Sequence, residues 1–180
     1  MQIAWEPGSD AIGDVTWPGF DDTAVVTDAV LAVLDAFGGF DRGPVEFVDN
    51  PSSRRGARVA FPYEGPSLTE LWVTATVGLD RDRSSTELEH ACSACGAERW
   101  ELFGAERWDN YWDPETKTLV RRKSQRLPRS GVFVSSGEIT TGIFRVEEFP
   151  AWIFCTDQVR IALEDGGFSN IAFLEMGETF

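Results

Sequence analysis

Twice in this chain a Thr-Asp pair opens a short segment with one apolar stripe, and each time the segment stops at Gly-Gly-Phe. In the first copy Thr27-Asp28 precedes Val30, Val33, Leu34 and Phe37, spaced i, i+3, i+4, i+7. That spacing puts all four on one side of a helix running to about Phe37. In the second copy Thr156-Asp157 precedes Val159, Ala162 and Leu163, which predicts a helix to about Asp165. Threonine suits the cap because its hydroxyl can accept a first-turn N–H. Glycine ends the helix because it enters the left-handed region without strain. Apolar stretches flank both helices: Thr23 to Val26 and Val45 to Val48 in one copy, Ala151 to Cys155 and Ile171 to Leu174 in the other. The chain is therefore expected to be α+β, a mainly antiparallel sheet with two short helices, built on a duplicated strand–helix–strand unit. The copies span about 20–48 and 143–175. Elements this short bury little alone, so the copies are expected to pack together or to cap one sheet.

Between the copies the pattern is mostly β. Ala57 to Phe61 reads as a strand, and Leu68 to Leu79 alternates Leu71, Val73, Ala75 and Val77 against Trp72, Thr74 and Thr76. Leu119 to Arg122, Val132 to Ser135 and Ile143 to Val146 are further strands. The polar run 49–56 reads as a loop and Asp113-Pro114-Glu115-Thr116 as a turn. With 180 residues, seven Trp and 13 Phe, and no low-complexity linker, one domain over 1–180 is expected. The first residues lack a basic start and an apolar core, and no apolar run approaches the ~20 residues of a membrane helix. Three cysteines, two of them in a C-x-x-C, fit a reducing cytoplasm better than a disulfide framework.

The net charge of −14 is unevenly placed. Residues 1–98 hold 17 acids against 6 bases, residues 99–129 hold 5 against 8, and residues 130–180 hold 8 against 2. The basic island, Arg99, Arg107, Lys117, Arg121, Arg122, Lys123, Arg126 and Arg129, is interleaved with Trp100, Trp108, Tyr111 and Trp112. Bases among aromatics can mark single-stranded nucleic-acid binding. The rest of the chain is strongly acidic and would repel phosphate, so no nucleic-acid partner and no anionic membrane surface is expected. The island reads instead as a β-hairpin whose aromatics pack inward and whose bases neutralise acidic neighbours.

His90-Ala91-Cys92-Ser93-Ala94-Cys95-Gly96 has the most chemical potential. C-x-x-C-G is half of a zinc ribbon: two thiolates leave one tight turn, and the glycine lets amides point at sulfur. Tetrahedral zinc needs four ligands. The chain offers Cys92, Cys95 and His90, its only histidine, with Cys155 or a carboxylate as the fourth. A redox C-x-x-C usually opens a helix, and no helical stripe follows here. The leading reading is a knuckle kept as a structured turn, with no cofactor required and zinc possible. Cys155 aligns with Val26 of the other copy and reads as a small core residue. No phosphate-loop, dinucleotide or nucleophile-elbow pattern is present, and the paired carboxylates read as solvated loops, so an enzyme is not expected.

The order of these features resembles the double-CXXCG motif family over about residues 20–178. The resemblance rests on Cys92-Ser93-Ala94-Cys95-Gly96 and on the tail from Ile143 to Glu175, where Phe149-Pro150-Ala151-Trp152-Ile153-Phe154 leads into Asp157 and ends at Phe173-Leu174-Glu175. Members carry an earlier C-x-x-C-G, whereas residues 1–91 here contain no cysteine. The family is associated with swarming-inhibition immunity proteins. The resemblance implies a cytoplasmic immunity protein that binds and neutralises a cognate toxin. An acidic inhibitor suits a basic toxin domain, and Asp80, Asp82, Glu87 and Glu89 are the expected partner-binding acids. The alternative is a small zinc-binding regulatory or interaction protein.

Overall fold

The computed structural model describes residues 1–4, 11–18, 23–48 and 60–180. The loop expected at 49–56 and residues 57–59 of the strand expected at 57–61 lie outside them; Ala60 and Phe61 carry no strand. In chain order the first elements are β1 (Gln2–Ala4), β2 (Val15–Thr16), β3 (Ala24–Thr27), α1 (Asp28–Leu34), β4 (Phe40–Pro44), β5 (Glu46–Val48), β6 (Leu68–Val73) and β7 (Thr76–Val77). Then follow β8 (Thr86–Ala91), β9 (Glu98–Leu102), β10 (Trp108–Asp113), β11 (Thr118–Lys123), β12 (Val132–Val134), β13 (Ile143–Val146), β14 (Phe149–Cys155), α2 (Asp157–Asp165) and β15 (Gly177–Thr179). The chain is α+β with mainly antiparallel pairing.

The chain, read from sequence as one domain, divides into two compact units, between which it passes several times. Unit 1 comprises Met1–Thr76, Thr140–Arg145 and Pro150–Ala172. Its main sheet runs β2-β3-β6-β4, all antiparallel, and β1 pairs parallel with β5. Helix α1 packs on β3, β6 and α2. Val25, Val26, Val30 and Val159 are fully buried there, beside Leu31, Leu34, Leu71 and Leu163. Each such side chain contributes about 1.5–3 kcal/mol. Leu71 is inward and Trp72 outward, as alternation predicts, but Glu70 is buried too. Its carboxylate meets the Met1 ammonium at 3.2 Å. Leaving either charge buried alone would cost about 3–5 kcal/mol.

The two copies open alike. Thr27 and Thr156 take nearly identical extended dihedrals (φ −71°, ψ 161° and φ −72°, ψ 159°). Neither hydroxyl makes the expected cap bond; that of Thr27 turns to the Asp14 carboxylate instead. Asp28 and Asp157 supply the negative charge that favours a helix start. Regular helix stops at Leu34 in the first copy, and a turn carries the chain to Gly38. In the second copy residues 171–174 form no strand. Left-handed Asn170 turns the chain beforehand, and its amide group donates to the Val15 carbonyl at 2.7 Å.

Gly142 joins the two helices. Its N–H donates to the Phe37 carbonyl (2.8 Å) at the end of the first, and its carbonyl accepts the Thr156 N–H (2.9 Å) at the start of the second. A methyl group there would lie 2.6 Å from Phe37 Cβ and 2.7 Å from Val159 Cγ2. Asp14 makes a second tie, accepting the Ser169 N–H (2.8 Å) and hydroxyl (2.7 Å) while its own carbonyl accepts the Thr27 N–H. These Ser169 bonds hold the Asp14 carboxyl below its ordinary range.

Unit 2 comprises Val77–Ile139, Val146–Phe149 and Phe173–Phe180. Two antiparallel ribbons, β8–β9 and β10–β11, stand beside the parallel pair β12–β15. Its buried apolar side chains include Val77, Leu79, Val132, Val134, Val146 and Phe149. Arg126 fastens the last strand: its guanidinium meets Glu175 at 2.8 Å and Glu178 at 2.7 Å, and its Nε donates to the Ser130 carbonyl.

Gly142→Ala is expected to lower stability by about 1–3 kcal/mol through overpacking, whereas Gly78→Ala, which meets nothing within 4 Å, changes the thermal midpoint little. Asp14 has a depressed folded-state pKa, so its contribution is present above the ordinary carboxylate range and lost as pH falls through the folded value. Acid titration of the midpoint should therefore be shallower in Asp14→Asn, and that variant should melt about 2–5 °C lower at neutral pH.

Candidate functional site

The C-x-x-C-G segment is the tip of the β8–β9 ribbon. The register pairs Thr86 with Leu102, Glu87 with Glu101 and Leu88 with Trp100, then shifts by one residue at Glu89 so that His90 faces Arg99 and Ala91 faces Glu98. At the tip the Cys92 N–H donates to the Ala97 carbonyl and the Gly96 N–H to the Cys92 carbonyl, both at 2.8 Å. Gly96 is left-handed (φ +73°), a conformation that side chains disfavour. The Ala94 and Cys95 N–H groups donate to the Cys92 sulfur, and the Cys95 side chain reaches the same sulfur. These donors hold the Cys92 thiol below its ordinary pKa. Cys95 is exposed and Cys92 half-buried.

His90 is exposed on β8. Among the described residues no three His, Cys, Asp or Glu side chains gather into a group that could hold a metal. Cys155 belongs to unit 1, at the end of β14. Burial, with Asp157 nearby, pushes its thiol up to about 11, which suits a packed, inert cysteine.

The four acids expected at a partner face have different fates. Asp80 is half-buried and accepts the Asp82 and Arg83 N–H groups at 3.0 and 3.1 Å, closing its own turn. Glu89 is engaged by Arg99 at 2.5 Å. Asp82 and Glu87 are exposed and make no ion pair among the described residues. Glu87 instead faces Glu101, also exposed, directly across the ribbon. Like charges opposite one another destabilise a strand pair. The pairing of Glu87 with Glu101 was not read from the sequence because Glu101 lies across the knuckle. The available signal was the knuckle itself: a tight turn pairs its flanks, and counting outward from the tip brings residue 101 near 87.

Beside this, Arg81 forms a hub. It reaches Glu148 at 3.1 Å and Glu98 at 3.7 Å, and its guanidinium lies 4.6 Å from the Trp100 ring centre. The Glu148 side chain is buried, so this pair is screened less than a fully exposed one.

The basic island forms the expected hairpin, β10–β11, and several of its bases do pair with acids: Arg99 with Glu89, Arg107 with Asp109, Lys123 with Glu106 and Arg126 with Glu175 and Glu178. Its aromatics do not pack inward. Trp108 is 38% and Trp112 61% exposed, and Leu119 opposite Trp112 is 66% exposed. The ribbon's two faces differ: Tyr111 and Val120 on one are half-buried, whereas Trp108, Trp112 and Leu119 on the other stay outward, so alternation alone does not bury a face. Arg121 lies over Trp108 on this outward face, and Arg122 over Tyr111 on the other. No described helix is long and apolar enough to cross a membrane.

Alkylation of the folded, reduced protein should modify Cys92 and Cys95, with Cys92 the faster, and leave Cys155 intact until denaturant is added; peptide mass mapping reads all three sites. No protein-family model matches the chain, and no curated protein matches it.

Proposed function

We propose that the protein is an immunity-type binding module that captures and neutralises a basic toxin domain in the cytoplasm. One observation carries this reading: the exposed Glu87–Glu101 pair held opposite across the β8–β9 ribbon. Such a pair is a local cost in the free protein, and a cationic partner converts it into attraction. Arg99 is the ribbon's single base, against Glu87, Glu89, Glu98 and Glu101. The net charge of −14 adds long-range steering toward a basic surface. The resemblance to the double-CXXCG family gives the partner its class, a cognate bacterial toxin. Asp82 and Glu87 remain from the expected acids, and Glu101 joins them.

The partner expected from this reading is the product of the adjacent open reading frame. Capture of that protein should weaken as salt rises. The double substitution of Glu87 and Glu101 to Gln should weaken capture roughly tenfold while leaving the melting temperature equal or higher. Capture that is insensitive to salt, or a double variant that binds undiminished, would refute the acidic face. A second reading follows from the outward Trp108, Trp112 and Arg121, which resemble a stacking platform for single strands. Oligonucleotide binding at low salt, lost in Trp112→Ala, would favour it.

A further inference from the structure

We infer that the outer edge of β10 is a dimerisation surface, on which the β10 of a second copy of the chain pairs antiparallel about a two-fold axis at Asn110. This surface lies on the other ribbon from the Glu87–Glu101 pair and does not rest on the toxin-binding reading.

Strands β10 and β11 pair with each other and with no third strand among the described residues. Just outside the ribbon the Ser124 N–H donates to the Arg107 carbonyl at 2.9 Å, which makes 107 and 124 a hydrogen-bonded pair. Bonded and non-bonded pairs alternate along antiparallel strands, so 109/122, 111/120 and 113/118 are bonded pairs too. The main-chain groups of Trp108, Asn110 and Trp112 therefore point away from β11. They have no hydrogen-bond partner among the described residues. The same alternation leaves the main-chain groups of Leu119, Arg121 and Lys123 unpaired on the far edge of β11.

The two edges differ in charge. Strand β11 ends in Arg121-Arg122-Lys123 and holds no acid, and an edge lined by bases is guarded against a second copy of itself. Strand β10 holds no base, and Trp108, Asn110 and Trp112 are exposed along it. For two β10 strands to bond through their outward groups, residues 108, 110 and 112 of one must face those of the other. Centring the axis on Asn110 sets Trp108 against Trp112 of the second copy, twice over. It also sets Asp109 against Tyr111, and Arg107 against Asp113 at both ends. Arg107 meets its own Asp109 at 2.8 Å, and bonds from the Glu115 N–H and the Thr116 hydroxyl hold the Asp113 carboxylate in place. Aromatic pairs and opposite charges across strands are stabilising, and no like charges lie opposite in this register. Sliding by two residues sets Asp109 against Asp109 one way and against Asp113 the other, which like-charge repulsion disfavours.

A two-stranded ribbon is marginal alone. The dimer turns two of them into one four-stranded sheet, β11-β10-β10-β11, with the tryptophans of both copies on one face. Its outer edges are both the basic β11, so the assembly closes at two.

The test uses the full chain, kept reduced and at moderate salt, which screens the repulsion between two chains of −14. Sedimentation equilibrium over a concentration series up to millimolar chain should show the mass rising from 20.0 kDa to twice that value. Proline at an outward N–H of an edge strand removes no bond to the neighbouring strand. Asn110→Pro should therefore weaken the dimer by about tenfold or more, whereas Arg121→Pro, the same change on the β11 edge, should leave the dissociation constant as it is. A second readout does not depend on the proline variants folding. In a Cys92→Ser, Cys95→Ser background, Asn110→Cys should form a disulfide-linked dimer under mild oxidation, because a bonded pair sets the two Cα atoms about 5.5 Å apart; Leu119→Cys should stay unlinked. A monomer at every concentration, equal weakening by the two prolines, or a cross-link at 119 rather than at 110 would each overturn the proposal.

Discussion

Two main-chain hydrogen bonds meet at Gly142, and unit 1 depends on them. Helix ends leave backbone groups without intrahelical partners. Here the chain leaving the first helix offers the Phe37 carbonyl, the cap of the second offers the Thr156 N–H, and one peptide segment satisfies both. The geometry works because residue 142 has no side chain: Phe37 and Val159 close over the position a β-carbon would take. Asp14 repeats the arrangement with side-chain chemistry, linking the Thr27 cap to Ser169 beyond the second helix. The two short helices gain stability from these ties and from shared burial, since isolated helices of seven and nine residues are marginal in water.

The helices were legible because polar starts, apolar spacing and glycine stops agree at both sites. The strands 24–27, 118–123, 132–134 and 143–146 were legible for a similar reason, as apolar or alternating runs between turns. Segments 86–91 and 98–102 were not, because Thr-Glu-Leu-Glu-His-Ala has no strand signature; the turn between them makes them strands. Ile171–Leu174 looked like the mate of Val45–Val48, yet composition does not supply a neighbouring edge with which to pair. The turn at Asp113-Pro114-Glu115-Thr116 identified a hairpin but could not say whether its aromatics are covered. Glu70 sits inside because of an ammonium group far away in sequence, which no local pattern contains.

Charge shows a similar gap between composition and structure. The sequence displays thirty acids, but many are committed within the fold. Asp14 holds Ser169, Asp80 closes its own turn, Glu106 binds Lys123 and the Glu175 N–H, Glu148 holds Arg81, and Glu175 and Glu178 hold Arg126. Others, Asp82 and Glu87 among them, are exposed and make no ion pair among the described residues. Of the acids expected at a partner face, Asp80 and Glu89 have partners within the fold, and the strand register sets Glu87 opposite Glu101.

The two ribbons also divide the chain by mutational tolerance. Side chains of 86–91 and 118–123 are largely exposed, and exposed substitutions away from special backbone positions shift stability by only about half a kilocalorie per mole. Surface residues on such strands can be exchanged while the buried valines, the Gly142 joint and the Arg126 clamp stay as they are. A lineage carrying this fold can therefore vary the surfaces of its ribbons without first acquiring compensating changes in its core.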